Sequence, residues 1–196
     1  MPAFIWPCDP TASFQAFEKR HASPAAGALF LFAVRAIDSL YYLQDIDRQD
    51  DLSQPTIRGH APDVVEVAHA RWATGTCITA LDLCAAGLGR ALCGHAKTRE
   101  LDLRQLADVK QPWRSRLPPT AKAWVDAVVG DTRYARIIEA RNHLTHARLT
   151  RHFSMPRKRL QLGLDSGPVD VPALIDCARE IGTAKISEFI ENLPTW

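Results

Sequence analysis

From Ala61 to Cys93 apolar residues recur at three- and four-residue steps: Val64, Val65, Ala68, Trp72, Thr76, Ala80, Leu83, Cys84, Leu88, Ala91 and Leu92. That is helix period. About thirty residues at ~1.5 Å each predict a rod of about 50 Å. A helix that long and that apolar must be wrapped by others, so the chain is committed to a helical bundle with this segment as its spine. Gly87 and Gly89 are the places where it can bend or end.

The flanking segments read as further helices. Asp9-Pro10 is a start signal for a short helix toward Arg20, and Ser23-Pro24 repeats the signal. The second helix carries Leu29, Leu31, Phe32, Ile37, Leu40, Tyr41 and Leu43. A loop is expected from Asp45 to about Gly59. Leu101 to Val109 predicts a short helix, and Pro112, Pro118 and Pro119 a connector. Thr120 is expected to cap a helix from Ala121 to Val129. Gly130-Asp131-Thr132 breaks and recaps the chain for a helix to about His152. Leu160, Leu162 and Leu164 then alternate with polar residues, which is strand period. With Phe153 to Met155 they predict a small β-hairpin, followed by a turn from Asp165 to Val169. Asp170 and Pro172 open the last helix, carrying Leu174, Cys177, Ala178, Ile181, Phe189 and Ile190. The expected fold is all-α, an up-and-down helical bundle with a small β-hairpin before the C-terminal helix. It forms a single domain over 1–196, with 1–22 an N-terminal extension and 24–196 the bundle core.

Composition narrows the class. Hydrophobic residues make up 46% of the 196 and charged residues 23%, which excludes a disordered chain. A net charge of +2 is too small to announce a nucleic-acid partner by itself. The five cysteines, Cys8, Cys77, Cys84, Cys93 and Cys177, are odd in number and lack Cys-x-x-Cys spacing, which fits a reducing interior. The N-terminus lacks the pattern of a secretion signal. The uninterrupted apolar run Ala25 to Val34 is too short to span a bilayer. A cytoplasmic protein without a membrane partner is expected.

The chemically pointed segment is Arg141-Asn142-His143-Leu144-Thr145-His146. At roughly 100° per residue, Arg141 falls near the middle of the arc formed by Tyr134, Ile137, Ile138, Leu144 and Leu149. An arginine there is costly unless it is paired or faces a polar cavity. Asn142 and His146 share a face, whereas Arg141 and His146 diverge by roughly 140°. A common site needs the arginine's reach, a bend, or a second copy of the helix across a two-fold axis.

Arg141-Asn142-x-x-x-His146, late in an all-helical chain, resembles the R-x4-6-H signature of the HEPN superfamily, with its polar residue after the arginine. The flanking Ile137-Ile138-Glu139-Ala140 and Leu144 resemble that family's helix. The likeness covers about twenty positions. It implies a dimeric helical bundle. It further implies a metal-independent endoribonuclease of the kind found in toxin–antitoxin, abortive-infection and CRISPR-linked defence systems, or else an inactive binding module. By resemblance Arg141 and His146 of two protomers form the site and Asn142 takes the polar position. Histidine supplies the proton transfers for attack by the RNA 2′-hydroxyl. The guanidinium holds the scissile phosphate. No cofactor is implied. The implied partners are RNA, a second copy of the chain and a cognate antitoxin protein. Members paired with a nucleotidyltransferase antitoxin carry a modified tyrosine two residues after the histidine. Arg148 stands there, so that form of control is not implied.

Arg148, Arg151, His152, Arg157, Lys158 and Arg159 follow the motif and are candidate RNA-binding residues. The same cluster also suits a solvated helix end. Lys97, Arg99, Arg104, Lys110, Arg114 and Arg116 form a looser basic stretch. Among the alternatives, Arg141 pairs with an internal acid such as Asp38. A metal shared by His143 and His146 is set aside because no cysteine or carboxylate is read at a matching helical spacing nearby. Gly87-Leu88-Gly89 is rejected as a dinucleotide loop because it follows a helix and lacks the third small residue. Trp6, Trp72, Trp113, Trp124 and Trp196 are read as packing residues.

Overall fold

The computed structural model describes residues 4–49, 56, 62–94, 101–145, 151–154 and 159–196. Helix α1 (Pro10–His21) starts where the Asp9 carboxylate accepts the Thr11 N–H at 2.9 Å. Pro10 sits where its missing N–H costs nothing. Helix α2 (Pro24–Gln49) opens at the Ser23-Pro24 signal and runs past the expected loop start at Asp45. The remainder of that expected loop lies almost wholly outside the described residues. Helix α3 (Pro62–Cys93) is the spine, 32 residues long, and it is helical through Gly87 and Gly89.

Two short helices follow, α4 (Leu103–Ala107) and α5 (Pro112–Arg116). A reciprocal capping box holds the first: the Asp102 carboxylate accepts the Gln105 N–H at 2.8 Å, and the Gln105 side chain accepts the Asp102 N–H at 3.1 Å. The connector predicted around Pro112 is therefore partly helical. Helix α6 (Pro119–Val129) begins at Pro119, so Thr120 lies inside the helix and not at its cap. Two arginines of the looser basic stretch are structural. Arg114 is buried and donates to both Asp126 carboxylate oxygens at 2.7 and 2.6 Å, and Arg116 donates to the Cys93 carbonyl at 2.6 Å.

Helix α7 (Thr132–Thr145) leads to three short strands and helix α8 (Val171–Asn192). Strands β1 (Arg151–Ser154), β2 (Arg159–Leu162) and β3 (Val169–Asp170) pair antiparallel in that order. The register sets Arg151 opposite Leu162 and Phe153 opposite Leu160. Leu160, Leu162 and Leu164 are buried, as their alternation predicts. Val169, expected in a turn, forms the third strand against Leu162. The architecture is thus an all-α bundle with a small antiparallel β element before its last helix.

Helix α3 packs against α2, α7 and α8. Its buried residues include Ala70, Ala73, Cys77, Ile78, Leu81, Cys84, Ala85 and Leu88. The apolar ladder read from the sequence coincides with this face only in part: Val65, Ala80, Cys84 and Leu88 are buried, whereas Val64 and Trp72 are 53% and 43% exposed and Ala68 is exposed. In α2 likewise the core residues are Phe30, Ala33, Val34, Ile37, Leu40 and Leu43, whereas Phe32 is 59% exposed. The windows Pro24–Ile46 and Val64–Cys93 are each long and apolar enough to cross a membrane by length and composition. Counting only an unbroken apolar run understates them. Core helices share that property, and 61% of the second window is buried within the fold.

An aromatic cluster lies within the core. Phe30 meets Phe17 at 5.4 Å and Phe189 at 4.8 Å between ring centres, and Phe189 meets Trp124 at 4.9 Å and Trp196 at 5.0 Å. The Trp124 indole N–H donates to the Lys185 carbonyl at 2.8 Å, so its polar atom is satisfied inside the core. Gly87 of α3 lies directly beneath Phe30, and an added Cβ there would collide with the ring. Gly75 of the same helix has open space.

These two glycines give opposite expectations. Glycine to alanine in a helix gains about 1 kcal/mol of propensity. Forcing a methyl into a packed core costs about 1–3 kcal/mol. Gly75→Ala should raise stability by up to ~1 kcal/mol. Gly87→Ala should lower it, because Phe30 is wedged among Phe14, Phe17 and Phe189 and cannot step aside. Urea unfolding of the two variants measures both signs.

Candidate functional site

Helix α7 is opened by Asp131, whose carboxylate accepts the Arg133 N–H at 2.9 Å and pairs with its guanidinium at 2.8 Å. The Arg133 side-chain hydrogen bond holds the Asp131 carboxyl below its ordinary value, against the opposing effect of burial. Tyr134, Ile137, Ala140 and Leu144 are the buried residues of the helix. Their arc centres near Ile137, so Arg141 sits roughly 40° to one side of the middle. It is half-buried. Its long stem can lie along apolar surface while its head leaves the core.

The acid that acts on Arg141 is Asp82 of α3, not Asp38. Asp38 instead accepts the Trp6 indole N–H at 3.2 Å. Asp82 is half-buried and accepts the Leu103 N–H at 3.1 Å, which ties α4 to the spine. Burial pushes the Asp82 carboxyl up. The Leu103 N–H opposes that, the neighbouring Asp102 adds to it, and Arg141 and Arg104 pull it down. Tyr134 borders the same cluster, and its hydroxyl is pushed up by burial first and by Asp82 second. Asp82 and Arg141 feel one another without forming a direct salt bridge.

Asn142 follows on an exposed position, roughly 100° round the helix from Arg141. Thr145 closes the last turn by donating its hydroxyl to the Arg141 carbonyl at 2.7 Å. His146, Arg148, Arg157 and Lys158 lie outside the described residues. Arg151, His152 and Arg159 are placed as backbone positions of β1 and β2, with His152 paired to Gln161 and Arg159 to Ser154. The geometry thus positions two of the three expected catalytic residues, Arg141 and Asn142, on the last turn of the penultimate helix.

The opposite flank of α7 carries groups the sequence reading passed over. Glu139 and His143 are each two residues from Arg141, hence roughly 160° round the helix from it. Glu139 accepts the Ser166 N–H at 3.2 Å. Burial raises its carboxyl, but hydrogen bonds from Ser166 and from the Asp165 backbone, with His143 nearby, hold it below the usual range. Arg136 donates to the Pro168 carbonyl at 3.0 Å. Ligand atoms of Glu139, His143 and Asp165 lie within 4.8 Å of one another. The argument against a metal at His143 therefore fails: Glu139 stands four residues before it, one helical turn away. That spacing was legible. The third residue, Asp165, comes from the turn after β2, which spacing within a helix cannot reveal. An open groove of about 410 Å³ adjoins this flank, lined by Thr132, Arg133, Ala135, Arg136, Glu139 and Ser166.

No family model, curated protein or solved structure matches this chain.

The Asp82–Arg141 coupling is measurable. A folded-state value above the unfolded one (~3.9) means the folded form holds its proton longer, so stability falls as pH rises through that interval. Removing the cation should widen the interval. In Arg141→Ala the Asp82 carboxyl should titrate at still higher pH than in the parent, read by carboxyl-carbon NMR. An unchanged midpoint would mean the two groups do not interact.

Proposed function

We propose that the chain is a metal-independent endoribonuclease of the HEPN type, acting as a homodimer with Arg141, Asn142 and His146 as its catalytic residues. The observation that carries this reading is the setting of Arg141. It is half-buried at the last turn of the penultimate helix of an all-α bundle, next to an exposed Asn142 and without a direct salt bridge to Asp82. A guanidinium so held has hydrogen-bond donors left for a phosphate. His146 supplies proton transfer to and from the 2′-hydroxyl and the leaving oxygen. Arg148, Arg151, His152, Arg157, Lys158 and Arg159 supply the basic track for the RNA backbone. A growth-arresting or phage-defence toxin in the cytoplasm, held in check by a cognate antitoxin, is the biological role that goes with this chemistry.

A second reading has its own observation. Asp82 already offsets part of the Arg141 charge. That favours a catalytically silent bundle of the same type that binds nucleotide, RNA or a protein partner.

Incubating the purified protein with total RNA in EDTA separates the two. The nuclease reading expects cleavage to persist without divalent ions and to yield 5′-hydroxyl ends. Arg141→Ala and His146→Ala should each lower the rate at least ~100-fold, the usual scale for loss of a general acid–base or charge-stabilising group. Size exclusion and circular dichroism should show the variants folded and associated like the parent. Cleavage undiminished in both variants would remove this site from consideration, and an inert parent would leave the binding reading.

A further inference from the structure

The flank of α7 that faces away from Arg141 holds three ligand-type side chains brought together from two parts of the chain. Glu139 and His143 are one turn apart on the helix, and Asp165 arrives from the turn between β2 and β3. We propose that Glu139, His143 and Asp165 bind a divalent transition-metal ion of the Zn²⁺ class, which clasps the penultimate helix to the turn that leads into the last one.

Four observations support it. The first is proximity. Their ligand atoms lie within 4.8 Å of one another. A tetrahedral ion with bonds of about 2.0–2.2 Å holds its ligand atoms roughly 3.3–3.6 Å apart. A movement of about an ångström at the end of each side chain closes that difference, and Asp165 is exposed and free of packing constraint. The second is an unanswered nitrogen. His143 Nδ1 is buried with no hydrogen-bond partner. A buried imidazole nitrogen left so is costly, and a metal ion coordinated at Nδ1 answers the deficit. The third is orientation. Glu139 accepts the Ser166 N–H at 3.2 Å, and that bond aims its carboxylate as outer-shell partners aim metal-bound carboxylates.

The fourth is that the neighbouring cations are engaged elsewhere. Arg136 donates to the carbonyls of Gly167 and Pro168, and Arg133 is paired with Asp131. Neither guanidinium is paired with Glu139 or Asp165 by a salt bridge among the described residues. The donor set selects the ion. One imidazole with two carboxylates suits Zn²⁺ and its first-row neighbours, whereas Mg²⁺ and Ca²⁺ prefer oxygen throughout. Three protein ligands leave a fourth position for water, and the groove beside Glu139 and Ser166 admits solvent to it.

The test uses the full chain with Cys8 and Cys177 changed to serine, because these two half-buried thiols are the cysteines within reach of added Zn²⁺. Zn²⁺ is titrated in competition with a chromophoric chelator. The expectation is one ion per chain and a Tm that rises with Zn²⁺. Glu139→Gln, His143→Ala and Asp165→Asn should each weaken binding by more than about ten-fold, the lower end of what losing even an outer-shell partner costs. Glu139→Gln keeps an acceptor for the Ser166 N–H, so it should fold like the parent and lose only the metal effect. His146→Ala should bind Zn²⁺ as the parent does. Absence of stoichiometric binding, binding untouched by all three variants, or binding lost in His146→Ala would each overturn the proposal. Because the nuclease reading rests on Arg141 and on cleavage in EDTA, either idea can fail while the other stands.

Discussion

The fold depends on one helix being buried around most of its circumference. An isolated rod as apolar as α3 would expose a long hydrophobic surface, and α2, α7 and α8 cover it. The polar residues that α3 takes into the interior must then be answered by whatever packs against them. Thr74 answers itself by donating to the Ala70 carbonyl at 2.8 Å. Glu66, buried, accepts the Leu160 N–H at 3.0 Å and so fixes where β2 meets the bundle. Asp82 accepts the Leu103 N–H and fixes where α4 begins. The polar positions of the spine thus act as attachment points for later parts of the chain. Asp82 has the further effect of setting the electrostatic surroundings of Arg141.

Helix α7 divides into two chemically distinct flanks because only one side of it is packed. Its buried arc faces the bundle, and the residues just beyond each edge of that arc are half-buried. Toward one side of the arc Arg141 feels the charge of Asp82. Toward the other, Arg136 and Glu139 bond to the 165–168 turn and His143 lies alongside. Half-buried positions at the margin of a packed face are where charged groups keep enough solvent to stay charged and enough protein to be oriented. Both the nuclease reading and the metal proposal draw on that margin, on opposite sides.

Local signals in the sequence were good guides to where helices begin. Asp9-Pro10, Ser23-Pro24 and Gly130-Asp131 mark three starts because capping chemistry acts within a few residues. Leu160 and Leu162 announced the strand because a period of two is unlike anything helical. The faces were less legible. A helix apolar on nearly every side offers no unique stripe, so Val64 and Trp72 were assigned inward while Ala73 and Leu81 hold the core. Phe32 misled in the same way, since size and hydrophobicity do not say which neighbour will cover a residue. The Arg141-Asn142 pair was legible as a motif because it is contiguous. Its partner was not: Asp82 lies on another helix, and only packing brings the two together.

That non-local partner decides how the candidate site is to be understood. A carboxylate that makes no direct salt bridge to a guanidinium in a half-solvated setting offers a Coulombic attraction weakened by water. A phosphate forking onto the same guanidinium offers two short charge-assisted hydrogen bonds, each worth about 1.5–3 kcal/mol. Under the nuclease reading the phosphate therefore wins the contest for Arg141, and Asp82 offers it only a longer-range attraction. The approach of a polyanion also raises the Asp82 carboxyl further, since a second negative charge favours its neutral form. Burial has already moved it in that direction. An anion arriving at the arginine would thus push the Asp82 carboxyl the same way that burial does.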